Sequence, residues 1–137
     1  VSHWSARYIG LPWVPGGRSF DGADCYGLAT LVYREELGIE LRSYDQFYVT
    51  AEEREEIAEL IAGGTARGPW RDIAIEDARE FDGVVFRLAG FASHIGIVVS
   101  RGLMLHVSAG RPARMERFLT GHWRPAIASV LRHESRL

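Results

Sequence analysis

The sequence predicts an α+β fold, a helix packed on an antiparallel sheet, and two changes of texture predict it. Between residues 24 and 37 apolar side chains recur near helical spacing, and from Gly83 onward short β-branched runs take over. A third observation bounds the size: 137 residues make one domain, 1–137, around a single core. Hydrophobic residues at 47% and charged residues at 25% are ordinary for a globular chain, and no apolar run reaches the ~18 residues of a membrane span. A net charge of −2 with scattered arginines gives no reason to expect a nucleic-acid partner. Val1-Ser2-His3-Trp4 lacks the basic-then-apolar run of a signal region; what precedes Val1 is open, so export stays undecided.

The elements follow in order. Trp4, Tyr8, Ile9 and Leu11 suit a short helix ending near Gly10, and Pro12 to Gly22, with Pro15, Gly16 and Gly17, reads as a loop. Asp24 is placed to cap a helix over 24–37, carrying Cys25, Leu28, Ala29, Val32 and Leu37 and ending at Gly38. Thr50-Ala51-Glu52-Glu53 has capping-box spacing ahead of Ile57, Leu60 and Ile61, which predicts a second helix ending at Gly63-Gly64. Residues 64–80 show no period and read as a connector. Val84-Val85-Phe86, Ile95 to Val99 and Leu103 to Val107 then read as consecutive antiparallel strands, with further strands at Met115 to Leu119 and Ala126 to Leu131.

Cys25 is the chain's one cysteine, so no intrachain disulfide explains it. Two readings stand: a buried structural thiol, or a reactive one at the first turn of a helix, where thiol pKa values fall to roughly 3.5–7.5. All sixteen basic residues are arginine and there is no asparagine. No lysine is available as a base, and no asparagine can orient a histidine.

His94 and His106 stand on adjacent predicted strands, and the turn between them decides their relation. A two-residue turn at Arg101-Gly102 sets Ser100 opposite Leu103 and sends the imidazoles to opposite faces. A three-residue turn with Gly102 in the left-handed position sets Val99 opposite Leu103 and His106 opposite Gly96, which puts both imidazoles on one face. Gly102 favours the second. Without HExxH or CxxC, one cysteine and two distant histidines are a weak ligand pattern, so no metal or other cofactor is expected. His3, His122 and His133 read as surface or packing residues.

Five segments in order, Tyr8-Ile9-Gly10-Leu11-Pro12-Trp13 with Gly16-Gly17, Asp24-Cys25-Tyr26-Gly27-Leu28, Phe81 to Phe86, His94 to Val98, and Leu105-His106, resemble the NlpC-type papain-like cysteine peptidases. The Pro-Trp and Asp-Cys-Tyr-Gly-Leu forms look most like members encoded in phage-tail clusters and gene transfer agents. The resemblance spans about residues 6–118. It implies a papain-like fold with Cys25 as nucleophile, His94 as general base and then acid, and His106 as the residue that orients His94. The implied reaction is hydrolysis of an amide in a peptidoglycan stem peptide through a thioester at Cys25.

Trp13, Asp24 and Tyr26 are the candidate substrate-contacting residues. Trp13 stands where many members have a tyrosine that donates near the oxyanion, and reads equally as a cleft-wall aromatic. Tyr26 stands where many have serine. Asp24 either binds the substrate's amino end or caps the helix. The implied partners are the stem peptide and the tail-tip proteins of a particle, with synthesis in the cytoplasm and action on the wall in the periplasm. The alternatives are a structural tail-tip protein with vestigial activity, and an amidase or acyltransferase of the same fold.

Overall fold

The computed structural model describes residues 3–41, 69–88 and 91–137; the second helix expected after Thr50 lies outside them. The chain opens in a 3-10 turn, Trp4–Tyr8, whose first N–H groups are met by the His3 ring accepting from Ser5 N. The loop that follows carries a small hairpin, β1 Arg18–Ser19 and β2 Gly22–Ala23, and Trp13 bridges to Ala23 beside it. The hairpin was not evident in sequence, because two-residue strands carry no readable period.

Helix α1 runs Cys25–Val32 and continues through one π turn, Tyr33–Leu37, to Gly38, so the segment predicted as a single helix ends where expected but widens in its last turn. Asp24 caps it: the carboxylate accepts from Gly27 N. From Tyr26 to Val32 every residue is buried, which marks a helix covered on all sides rather than an amphipathic surface helix. Gly27 is required by close approach, since a Cβ there would overlap the Gly17 carbonyl oxygen of the loop.

Among the described residues the sheet has six antiparallel strands: β3 Trp70–Ile73, β4 Gly83–Leu88, β5 Phe91–Ser100, β6 Leu103–Ser108, β7 Arg111–Arg117 and β8 Ile127–His133, in the order β3-β8-β4-β5-β6-β7. Strand β3 corrects the reading of 64–80 as a connector. It is four residues at an edge, and only pairing with β8 makes it a strand. Strand β7 begins at Arg111, earlier than the expected Met115, because Arg111, Arg114, Glu116 and Arg117 mask its alternation; charged residues are common on an exposed edge.

Side-chain alternation divides the sheet into two faces. Val85, Ile95, Ile97, Val99, Leu105 and Val107 meet Leu28, Ala29, Leu31 and Val32 of α1 in the larger core. Val84, Phe86, Val98, Met104 and Val130 form a second core with Phe118 and Trp123. The start of β4 is tied to β8 by a buried ion pair: Arg132 Nε donates to Asp82 Oδ1 at 2.9 Å and Nη2 to Oδ2 at 2.8 Å.

Candidate active site

Cys25 opens α1, where the first backbone N–H groups have no intrahelical acceptors. Asp24 supplies one. Its Oδ1 accepts from Gly27 N at 2.7 Å and from Arg18 Nη1 at 2.8 Å, while Oδ2 accepts from Gly16 N at 2.9 Å. The carboxylate thereby pins the Gly16-Gly17 loop to the helix start. Half-buried Trp13 packs with Cys25 against the helix-side core, and Tyr26 is buried with the Arg18 guanidinium 5.7 Å from its ring centre.

Burial pushes the Cys25 thiol up to about 12, and the neighbouring Asp24 carboxylate adds to the rise. The backbone groups of Ile95 and Tyr26 and the Arg18 guanidinium act in the opposite direction without prevailing. This reverses the lowering expected of a helix N-terminus. The positive end of a dipole is a partial charge, whereas desolvation and a full negative charge one residue away both favour the neutral thiol.

The two histidines are held by the middle of the sheet. His94 lies opposite Phe86, immediately after a bulge in which Ser93 is the extra residue of β5. The turn into β6 combines features of both sequence alternatives. Ser100 lies opposite Leu103, as in the two-residue version, but Val99 is bulged, so Val98 pairs with Met104 and Ile97 with Leu105. One extra residue restores the parity that a two-residue turn would have lost. Both imidazoles therefore share a face, as expected, by a route that the glycine alone did not reveal. Gly102 adopts the left-handed conformation with φ 73°.

His94 Nε2 and His106 Nδ1 are 3.0 Å apart, with the rings edge to face. His94 is 4% exposed and stacks on Trp123 at 5.5 Å between centroids; His106 is fully buried. Beyond it, His106 Nε2 meets Glu116 Oε2 at 2.5 Å, and Arg114 Nε donates to the same oxygen at 3.1 Å. Burial pushes His94 down to about 3, helped by His106 and Arg114 and opposed by Glu116. Burial likewise lowers His106 to about 4, against the hydrogen bond with Glu116. Burial alone would raise the Glu116 carboxyl, but the His106 bond and the Arg114 charge hold it below its ordinary value. At neutral pH the thiol and both imidazoles are uncharged and Glu116 is a carboxylate.

The structure thus brings His94 and His106 into contact and carries Cys25 to Ile95, the residue after His94. The thiol belongs to the helix-side core and the His94 ring to the Trp123 side, so the two flank the same stretch of β5. Glu116 was missed in sequence. It depends on β7 pairing with His106 opposite Arg114, after a register shift at Pro112-Ala113 that no local pattern announces. Among the described residues no group of three or more His, Cys, Asp or Glu is arranged to hold a metal ion, and no helix is long and apolar enough to cross a membrane. His3 bonds Ser5 and Glu80, His122 lies against Trp123, and His133 bonds Ser135.

A sequence model of the NlpC/P60 family matches residues 10–132. No curated protein matches the chain. Among solved structures, a lipoprotein-like NLP/P60 protein from Staphylococcus aureus is similar at 24% identity and a TM-score of 0.65, over 94% of this chain and 38% of that one. The NlpC/p60 domain of the peptidoglycan hydrolase SagA is similar at 21% identity and 0.62, over 93% and 92%. NlpC1 from Trichomonas vaginalis is similar at 18% and 0.70, over 94% and 41%. The chain therefore spans about two fifths of the first and third and nearly all of the second. At these identities the likeness is one of fold, an α+β papain-like arrangement with a helix on an antiparallel sheet.

Proposed function

This chain belongs to the NlpC/P60 family, and on that premise we propose that it is a peptidoglycan endopeptidase, hydrolysing a stem-peptide amide through a thioester at Cys25. The observation that carries the reading is the imidazole pair on adjacent strands: His94 turns Nε2 to His106 at 3.0 Å, which leaves Nδ1 as its basic nitrogen, while the Cys25 thiol meets the backbone of Ile95, the next residue of β5. The neutral resting state supports a general-base route rather than a preformed thiolate–imidazolium pair. As Sγ attacks the carbonyl carbon, its proton passes to His94 Nδ1, and the oxyanion forms near the Cys25 N–H at the positive end of α1. The C–N bond breaks as His94 returns that proton to the leaving amine. Water, deprotonated by His94, then cleaves the thioester and restores the thiol. The reading requires Sγ and Nδ1 to come within about 3 Å in the substrate complex.

Trp13 and Tyr26 would form the wall of the substrate cleft. Asp24 would serve the site by holding the helix start, its carboxylate accepting from Gly16 N, Arg18 Nη1 and Gly27 N. Carriage on a phage or gene-transfer-agent tail is part of the proposal, supported by the likeness of Pro12-Trp13 and Asp24 to Leu28 to such members; tail-tip proteins would be its partners and the periplasmic wall its place of action. Incubation with purified peptidoglycan, with released peptides identified by mass, tests the reading. Release of stem-peptide fragments that is lost in Cys25→Ala supports it. Release that survives Cys25→Ala sinks the cysteine route, and no release from a folded wild-type chain favours the structural tail-tip or the acyltransferase reading.

A further inference from the structure

The buried chain of polar contacts continues past His106 to a carboxylate that the proposed reaction does not itself use. Its hydrogen-bond polarity determines where every proton sits. An ionised carboxylate only accepts, so with Glu116 Oε2 at 2.5 Å, His106 must carry its proton on Nε2. A neutral His106 then has only a lone pair on Nδ1. His94 Nε2, 3.0 Å away, must therefore be the donor, and the lone pair of a neutral His94 falls on Nδ1. We propose that Glu116 is the positioning residue of this site: by accepting from His106 it fixes both imidazoles as Nε2–H tautomers and so keeps the basic lone pair of His94 on Nδ1, the nitrogen turned away from His106.

Glu116 is itself held for this role. Arg114 Nε bonds the same carboxylate oxygen at 3.1 Å, and that guanidinium is anchored by Nη2 to Ser108 Oγ at 2.9 Å and by Nη1 to the Pro112 carbonyl at 3.2 Å. Strand register supplies the geometry, since His106 pairs with Arg114 and Met104 with Glu116, which sets Glu116 diagonal to His106 on the face that His94 shares. The charged and titratable groups bearing on the two imidazoles are Glu116, Arg114 and Arg111 of β7 and the imidazoles themselves. Glu116 is the one anion among them, and it raises the basicity of both rings.

The inference rests on the proposed hydrolase reading for its kinetic consequence but not for its structural one, so the two fail separately. Ring-nitrogen NMR of the folded wild-type chain at pH 7 should show His94 and His106 each protonated on Nε2 with an unprotonated Nδ1. In Glu116→Gln, whose amide both donates and accepts, His106 should lose its single tautomer. On peptidoglycan fragments that variant should lose about 100-fold in kcat with KM little changed, Glu116→Asp should recover part of the loss, and the acid limb should move to lower pH because removing the anion lowers the imidazole pKa. A wild-type His94 protonated on Nδ1 overturns the proposal, as does a folded Glu116→Gln with unchanged tautomers, kcat and acid limb. A chain that shows the expected tautomers yet cleaves no peptidoglycan overturns the hydrolase reading alone.

Discussion

Alkylation of Cys25 tests the resting state of the site without any substrate. Iodoacetamide reacts with thiolate, and a thiol held at about 12 by burial and by Asp24 is almost wholly protonated at pH 7. Relative to an ordinary cysteine at about 8.5, the thiolate fraction falls about 3,000-fold, and the greater nucleophilicity of a more basic sulfur recovers about 40-fold. Net labelling of the folded chain at pH 7 should therefore be about 100-fold slower than that of the same chain in denaturant. The sign is definite: below the thiol pKa the rate should rise about tenfold per pH unit. Labelling followed by intact mass from pH 5 to 10, with the denatured chain as reference, gives both quantities. A folded chain that labels faster than the denatured one at pH 6, with a plateau beginning near pH 4 to 5, would refute the reasoning, because that profile belongs to a thiolate stabilised by the helix start. It would also replace the general-base route with an ion-pair route.

Three other outcomes follow from the same structure. His94 and His106 are lowered in the folded state, so the unfolded chain takes up protons first as pH falls: stability is full above about 6.5 and is lost by about 1.4 kcal/mol per pH unit for each ring, down to about 4 for His106 and about 3 for His94, and urea titrations in which His94→Gln fails to flatten that slope would contradict it. Asp82→Ala leaves the Arg132 guanidinium without its bidentate partner in a buried setting and should cost about 3 kcal/mol, read as a lower urea midpoint; a loss below about 1 kcal/mol would mean that water reaches the pair in the folded state. Cys25→Ala should fold and yet release nothing from peptidoglycan, which melting curves and fragment masses check together.

How much was legible depends on the range of the forces involved. Asp24, Cys25 and the glycine at 38 announce a helix through contacts within a few residues, and the structure has that helix, cap and end. The runs around Val85, Ile97 and Leu105 announce strands through alternation, and their β5–β6 pairing puts His94 and His106 on one face. Strand β3 and the early start of β7 were hidden, because an edge strand has one paired side and tolerates charge, so its pattern is not that of a buried strand.

By itself the sequence determined what local chemistry determines: the helix that begins at Cys25, the strands bearing His94 and His106, and a family resemblance that agrees with the NlpC/P60 match over residues 10–132. Tertiary structure decided the rest. The bulge at Val99 chose the face of the imidazoles, the pairing of β7 brought Glu116 to His106, and burial beside Asp24 turned the Cys25 thiol toward its neutral form. Each of these depends on residues far apart in the chain. Bulge placement, strand pairing and desolvation are properties of the packed whole, and no window of sequence contains them.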